Sequence, residues 1–120
     1  MGEYDPSLEV LLDLDGQRFT IEPSGYSVKF IVSRVPATSA RPQGINYSLT
    51  LHAPDGARLV GFDNAHAVRA SRSPARGRKE LDHQHRLGTT RLYRYVDAMK
   101  LLEDFWREVY AVLDELGVER

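Results

Sequence analysis

Residues 45 to 52, with the sequence INYSLTLH, decide the fold, because apolar and polar side chains alternate there without interruption. Successive side chains of a β-strand point to opposite faces, so this pattern predicts a strand with one buried face. Pro54-Asp55-Gly56 supplies the residues of a tight turn, and residues 58 to 63 are then expected to return antiparallel. The stretch therefore predicts the centre of an antiparallel sheet.

Further strands are expected before this hairpin. Leu8 to Leu14 alternates apolar and polar residues and, together with the stretch from Arg18 to Glu22, predicts an acidic N-terminal hairpin over residues 1 to 22. Residues 26 to 35 are rich in β-branched and aromatic residues, which indicates a third strand. Two prolines and a glycine in residues 36 to 44 predict a loop between the two strand pairs.

The second half of the chain is expected to hold a long loop, a short strand and a helix. Residues 69 to 89 are rich in arginine and histidine and have no apolar period, which is typical of a loop. Arg91 to Val96 predicts a short strand. Asp97 is suited to cap a helix over residues 97 to 116, where apolar residues recur every three or four positions and Gly117 follows as a stop.

These elements predict one α+β domain over residues 1 to 120. Its antiparallel β-sheet is expected to have five to six strands and to be packed on one face by the long C-terminal α-helix. No apolar run approaches the roughly 20 residues that span a bilayer, and the N-terminus lacks the features of a signal peptide. The sequence therefore predicts a cytoplasmic protein without a membrane partner.

Charge is strongly segregated along the chain, although the formal net charge is only -1. Residues 69 to 94 carry eight bases against two acids, whereas residues 1 to 16 carry five acids and no base. A basic band of this kind is either a solvated loop or a surface that binds anions such as nucleic acid. The absence of cysteine excludes disulfides and thiolate metal sites, so a metal would need histidine, carboxylate or amide ligands.

Three of the four histidines lie between Gly61 and Arg86, near or within this basic band. Histidine titrates near neutral pH and is suited to acid/base catalysis, metal binding or phosphate contact. His83 and His85 are two residues apart and would point the same way in an extended segment. Asp63 and Asn64 lie where a strand leaves the sheet, and they either form an ordinary turn or shape a site that includes His66.

The same residues suit RNA cleavage without a metal or other cofactor, in which a base, an acid and cations act on one phosphodiester. The candidate catalytic residues are His66, His83 and His85. The candidate phosphate- and substrate-binding residues are Arg78, Lys79, Arg86, Arg91 and Tyr93. Tyr93 and Tyr95 are placed to stack on unpaired bases, although strand alternation predicts that one of the two packs into the core.

Two other functions remain open at this point. A divalent metal held by His66, His83, His85 and Asp63 would make the protein a metal-dependent phosphoesterase. Alternatively, the arginines contact nucleic acid in a non-enzymatic binding protein or adaptor whose histidines are structural. The residues leave the choice between these functions, and the formation of a homo-oligomer, undecided.

Several motifs resemble the small bacterial proteins of the TumE-type toxin family, in the same order over roughly residues 26 to 113. They are YSLTL at residues 47 to 51, GFDNAH at residues 61 to 66, DHQHR at residues 82 to 86 and LLEDFW at residues 101 to 106. The resemblance implies the toxin component of a bacterial type II toxin-antitoxin module, with a helix-turn-helix antitoxin as partner. It assigns no catalytic residues, so the roles given above depend on residue chemistry alone.

Overall fold

The computed structural model describes residues 5–39, 41–64 and 82–118. Within these ranges six strands form one antiparallel sheet, in which each strand pairs with the next along the sequence. The strands are β1 (Arg18–Ile21), β2 (Tyr26–Arg34), β3 (Ile45–His52), β4 (Arg58–Asp63), β5 (His83–Arg86) and β6 (Thr89–Leu92). The helices described there are α1 (Ser7–Asp13) and α2 (Ala98–Glu115). The predicted α+β fold, with its antiparallel sheet and C-terminal helix, is confirmed.

The pleat gives this sheet two faces of opposite character. On the helix face, alternate side chains of β2, β3 and β4 pack against α1 and α2 in one hydrophobic core. Phe105 of α2 lies at its centre, in edge-to-face contact with Phe30 and Phe62. The opposite face, which we call the open face, is covered by neither of the described helices. Its central row, in register across the six strands, is Arg18, Lys29, Thr50, Gly61, His85 and Thr90.

The N-terminal segment is a helix where the alternation of Leu8 to Leu14 predicts a strand, so the N-terminal hairpin is wrong. The same leucines also carry a helical spacing, because Leu8, Leu11 and Leu12 lie on one side of a helix. Leu11 is fully buried in the core, whereas Val10 remains 51% exposed. Packing of these leucines against the core favours the helical spacing over the alternation of a strand. Only the second half of the predicted hairpin is a strand, and β1 pairs with β2 instead.

The start of α2 is held by side chains from both ends of the chain. Asp97 caps the helix as predicted, since its carboxylate accepts a hydrogen bond from the Lys100 amide at 2.8 Å. The Asp5 carboxylate accepts from the Ala98 amide at 2.9 Å, and the Ser7 hydroxyl accepts from the Met99 amide at 3.0 Å. These three acceptors satisfy amides that lack partners at the start of any helix. They also fix α1 against α2.

The predicted loop over residues 69 to 89 extends too far, because β5 occupies residues 83 to 86 and β6 begins at Thr89. Its part from 69 to 81 lies outside the described residues. The last predicted strand, Arg91 to Val96, is likewise displaced, since β6 ends at Leu92. Both shifts have one cause: β5 and β6 form a tight hairpin whose turn is Leu87-Gly88, with positive φ angles of 49° and 89°. This hairpin places the histidine segment inside the sheet.

Candidate functional site

His83 and His85 both project from β5 onto the open face, as the spacing of two residues predicts. Their ring centroids are 6.4 Å apart and the planes are inclined by 31°. Asp82 and Gln84 point to the helix face, in keeping with the alternation of a strand. The two imidazoles therefore form a pair on a rigid element, which is a better support for a reactive group than a loop.

Both ring nitrogens of His85 have defined partners. Nε2 lies 3.1 Å from Oδ2 of Asp63, and Nδ1 lies 3.1 Å from the Thr90 hydroxyl. An ionised carboxylate only accepts hydrogen bonds, so in the neutral ring Nε2 carries the proton and Nδ1 accepts from Thr90. The Asp63 carboxylate thereby orients the ring and leaves Nδ1 as its basic nitrogen. Asp63, His85 and Thr90 form one hydrogen-bonded series across β4, β5 and β6.

Asp63 is held in place by its neighbour in the sequence. The Asn64 side chain is fully buried; its Nδ2 donates to the Ile45 carbonyl at 3.0 Å and its Oδ1 accepts from the Tyr47 amide at 3.0 Å. The Asn64 side chain thus continues the pairing of β3 and β4 beyond the last residue of β4. Asp63 and Asn64 were expected to shape the site or to form a local turn, and Asn64 instead makes these non-local bonds.

Arg58 approaches His85 across a glycine. A Cβ atom at Gly61 would stand 3.5 Å from Nη1 of Arg58 and 3.6 Å from Cδ2 of His85. The guanidinium and the imidazole therefore both lie over the space that the absent side chain leaves. Gly61 thereby lets a side chain from the start of β4 reach the central row of the open face.

The expected arginine clamp does not lie with the histidines. Arg86 projects to the helix face, where Nε is 3.4 Å from Glu108 and a guanidinium nitrogen also contacts Glu115. Arg91 pairs with Gln84 in register, and it lines a cleft whose other residues include Arg86, Glu108 and part of His85. Strand alternation separates both arginines from the imidazole rings, which project to the opposite side of the sheet.

The tyrosines expected to stack on bases are occupied by the fold instead. The Tyr93 hydroxyl donates to Asp104 at 2.6 Å, and its ring packs edge-on against Phe62. The Tyr95 ring lies 6.0 Å from that of Tyr47. Both tyrosines therefore pack against the core, whereas strand alternation predicts this for only one of them.

Three of the sequence-predicted residues, His66, Arg78 and Lys79, lie outside the described residues. The expected approach of His66 to His83 or His85 therefore stays a prediction. Among the residues described, no group of three or more histidine, aspartate or glutamate side chains is arranged to hold a metal ion.

A model of the TumE toxin family matches residues 12–113. The chain belongs to the TumE toxin family. This agrees with the resemblance seen in its motifs, and the match spans every strand of the sheet and most of α2. No curated protein and no solved structure matches the chain. In the part of this TumE-family chain that the structure describes, no helix is long and apolar enough to cross a membrane.

Two side chains of this candidate site, Thr90 and Arg58, were missed by sequence reasoning. Thr90 belongs to the site because β6 pairs with β5 and sets Thr90 opposite His85, 5 positions along the chain. Arg58 belongs to it because Gly61 carries no side chain. Polar residues after turns are too common for either to stand out in one sequence. The register of the strands is the signal that finds them.

A buried carboxylate lies directly behind the histidine pair. Asp82 is 7% exposed, and one of its oxygens accepts hydrogen bonds from the Tyr47 hydroxyl at 2.6 Å and from Gln43 at 2.9 Å. Burial raises the pKa of Asp82, and these two hydrogen bonds only partly oppose the rise. Burial and the nearby Asp82 also raise the pKa of Tyr47, which keeps its hydroxyl as a donor. Burial thus disfavours the ionised form of Asp82.

We expect Asp82→Asn to leave the stability at pH 7 unchanged or to raise it by up to about 1 kcal/mol, because one amide oxygen accepts from both donors without a buried charge. Tyr47→Phe should instead cost about 1–3 kcal/mol, since a buried acceptor loses a donor.

The stability difference between the wild type and Asp82→Asn should depend on pH. Because the pKa of Asp82 is raised in the folded state, the wild type loses stability as pH rises from the ordinary 3.8 through the folded value. The advantage of Asp82→Asn should grow over that range. Urea unfolding of both proteins at several pH values measures this advantage. A difference in the free energy of unfolding that does not change with pH would contradict the raised pKa of Asp82.

Proposed function

We propose that this chain is the toxin of a two-component toxin-antitoxin module and cleaves RNA on the open face of its sheet. The observation that supports this proposal is the His85 imidazole, which bonds Asp63 through one nitrogen and Thr90 through the other, with the 7% exposed His83 beside it. An imidazole with a fixed tautomer, next to a second imidazole and a guanidinium, contains the groups that transesterification of RNA requires. The family match supports the toxin role.

In the proposed reaction, His85 is the base. Its Nδ1 takes the proton of a ribose 2′-hydroxyl as the 2′-oxygen forms a bond to the adjacent phosphorus. The bond from phosphorus to the 5′-oxygen of the next nucleotide breaks, and that oxygen takes a proton from His83 in its imidazolium form. The products are a 2′,3′-cyclic phosphate and a free 5′-hydroxyl.

Arg58, Asp63 and Thr90 support this chemistry in different ways. The Arg58 guanidinium stabilises the negative charge that develops on the phosphorane oxygens. The Asp63 carboxylate keeps the His85 ring in the required tautomer and stabilises it once it is protonated. The Thr90 hydroxyl occupies Nδ1 in the free protein and is replaced there by the 2′-hydroxyl of the substrate. No residue of the helix face takes part.

The partner in this proposal is an antitoxin, which a toxin family implies. We propose that it is a helix-turn-helix protein that covers the open face and so blocks access to His85. A binding module that holds RNA without cleaving it is the competing function. The row of cations on the open face would serve either activity, so catalysis has to be tested directly.

We expect His85→Gln to lower the rate of RNA cleavage by about 10²- to 10⁴-fold. Glutamine can hydrogen-bond to Asp63 and Thr90, but it cannot act as the base that takes the 2′-hydroxyl proton. His83→Gln should act in the same direction. His52→Gln is the matched control, because His52 lies on the open face like His85 but makes no bond to a carboxylate among its described contacts. Its ring nitrogens lie 2.9 Å from the Thr50 hydroxyl and 3.2 Å from the Gly56 carbonyl. The measurement is the rate of cyclic-phosphate formation from single-stranded RNA with purified, folded protein.

Growth arrest on expression in a bacterial host is a second measurement for the same set of variants. Loss of arrest in His85→Gln with retention in His52→Gln would support the proposed site. Binding of RNA without cleavage by the wild type would favour the non-enzymatic function. Equal cleavage by wild type, His83→Gln and His85→Gln would exclude these imidazoles from the chemistry.

A further inference from the structure

The central row of the open face leads away from His85 and carries exposed cations on either side of Thr50, which is itself buried. From β1 to β6 its residues are Arg18, Lys29, Thr50, Gly61, His85 and Thr90, each in register with the next. The guanidinium of Arg58 lies over Gly61 and fills the gap in the row. At about 4.8 Å between neighbouring strands, the row spans about 24 Å.

Three cations of this row have no acid beside them. Within the described ranges, neither Arg18, Lys29 nor Arg58 forms an ion pair, and all three are exposed. On the helix side, four cations are paired with carboxylates: Arg34 with Glu9, Arg86 with Glu108 and Glu115, Lys100 with Asp104 and Arg107 with Asp104. Among the described ion pairs Arg91 of β6 has none either, but it does not belong to the central row. Arg18, Lys29 and Arg58 thus place positive charge without a counterion on the face that carries His85.

The charge is also confined to a line about one residue wide. The next row on one side carries Ile31, Ser48, Asp63 and His83 in register, which adds no arginine or lysine. On the other side, Ser27 is buried and the Arg18 guanidinium donates to its hydroxyl at 3.4 Å. A narrow line of this kind fits the phosphates of one strand better than the two phosphate rows of a duplex. No phenylalanine, tyrosine or tryptophan projects from the described strands onto this face, so contact with bases is not favoured.

We propose that single-stranded RNA crosses the sheet along this row, with the cleaved phosphodiester at His85 and Arg58 and flanking phosphates on Lys29 and Arg18. This inference rests on the proposed function and adds the substrate class and its path. At about 3.4 Å per stacked nucleotide, the row contacts at most about seven nucleotides. Contacts to phosphates alone carry no base preference, so recognition along the row is independent of sequence.

The test compares a double variant, Arg18→Gln/Lys29→Gln, with a control that removes the same charge from the helix side, Arg34→Gln/Arg107→Gln. Each is assayed with a single-stranded RNA of about twelve nucleotides and with a dinucleotide that reaches only His85. For the long RNA, the Arg18/Lys29 variant should have a higher KM and an unchanged kcat. With the dinucleotide, all three proteins should be alike.

Salt dependence gives a second, quantitative readout. Each lost phosphate contact to a single strand lowers the slope of log affinity against log salt by about 0.7, so the double variant should lose about 1.4. The affinity advantage of the wild type should then shrink about sevenfold between about 50 and about 200 mM salt. The helix-side control should keep the wild-type slope.

The possible failures are distinguishable. Equal slopes and KM values for wild type and Arg18→Gln/Lys29→Gln, with His85-dependent dinucleotide cleavage intact, would overturn the path but leave the proposed function standing. If Arg18→Gln/Lys29→Gln lost dinucleotide cleavage to the same degree as cleavage of the long RNA, the path would also be overturned. The two cations would then act on the chemical step and not on flanking phosphates. Duplex RNA bound with the same affinity and slope would overturn the single-strand assignment. Absence of both cleavage and binding would overturn both proposals.

Discussion

Asp63→Asn is expected to lower the rate of RNA cleavage by about 10²- to 10⁴-fold while leaving the fold intact. Asparagine has the same shape as aspartate, so the contact with Nε2 of His85, at 3.1 Å in the wild type, is retained. Its amide carries no charge to stabilise the protonated ring, and its NH₂ group can donate to Nε2. The proton of the neutral ring then lies on Nδ1, where the substrate hydroxyl requires an acceptor.

The change in tautomer is measurable apart from activity. Nitrogen-15 NMR of labelled histidine distinguishes a protonated Nε2 from a protonated Nδ1, and Asp63→Asn should shift His85 towards the second. Asp55→Asn is the control, because Asp55 accepts only a local bond from the Ala57 amide in an exposed turn. An Asp63→Asn protein that cleaves RNA within about twofold of the wild type would show that the carboxylate has no part in catalysis.

Asn64→Asp is expected to destabilise the fold by about 3–5 kcal/mol, although the two side chains have nearly the same volume. Nδ2 of Asn64 donates to the Ile45 carbonyl at 3.0 Å, and the substitution sets a carboxylate oxygen against that carbonyl. The site is fully buried, so the introduced charge is removed from solvent, and the described contacts of Asn64 provide no counterion. A loss of this size is a large fraction of the 5–15 kcal/mol typical of a domain.

The chain contains a matched control on the preceding strand. Asn46 lies on the open face of β3 and accepts from Nε of Arg41 at 3.2 Å, so Asn46→Asp keeps an acceptor beside a cation and should change stability by no more than about 0.5 kcal/mol. Urea unfolding followed by circular dichroism gives both values. Protonation restores a donor at position 64, so the loss in Asn64→Asp should shrink as pH falls. A loss below about 1 kcal/mol at pH 7 would contradict the role given to Asn64.

The sequence predicted that His83 and His85 share a side, as the structure has them, but it also grouped with them two arginines that lie on the other face. His83 and His85 share a side because a spacing of two residues places side chains together in any strand. Arg86 directly follows His85 in the sequence, and in the predicted loop over residues 69 to 89 no alternation separates the two side chains. Once residues 83 to 86 form β5, the same alternation sends Arg86 to the helix face and its glutamates.

Asn64 shows the corresponding limit for local reasoning. An Asp-Asn pair after a strand is typical of a turn, and turn chemistry concerns bonds within a few residues. The bonds that Asn64 makes reach Ile45 and Tyr47, 19 and 17 positions away. A single sequence contains no signal for a contact at that separation unless the register of β3 and β4 is known.

By itself the sequence determined the central strands, the C-terminal helix and its Asp97 cap, because periodic burial and a local cap depend only on near neighbours along the chain. The tertiary structure alone decided three things: that residues 7–13 are helical, that Asp63 and Thr90 flank His85, and that Arg58, Lys29 and Arg18 lie on the histidine side. The physical reason is the same in each case. Strand register and the packing of α1 are set by burying one continuous core, and that burial joins residues whose local patterns fit more than one structure.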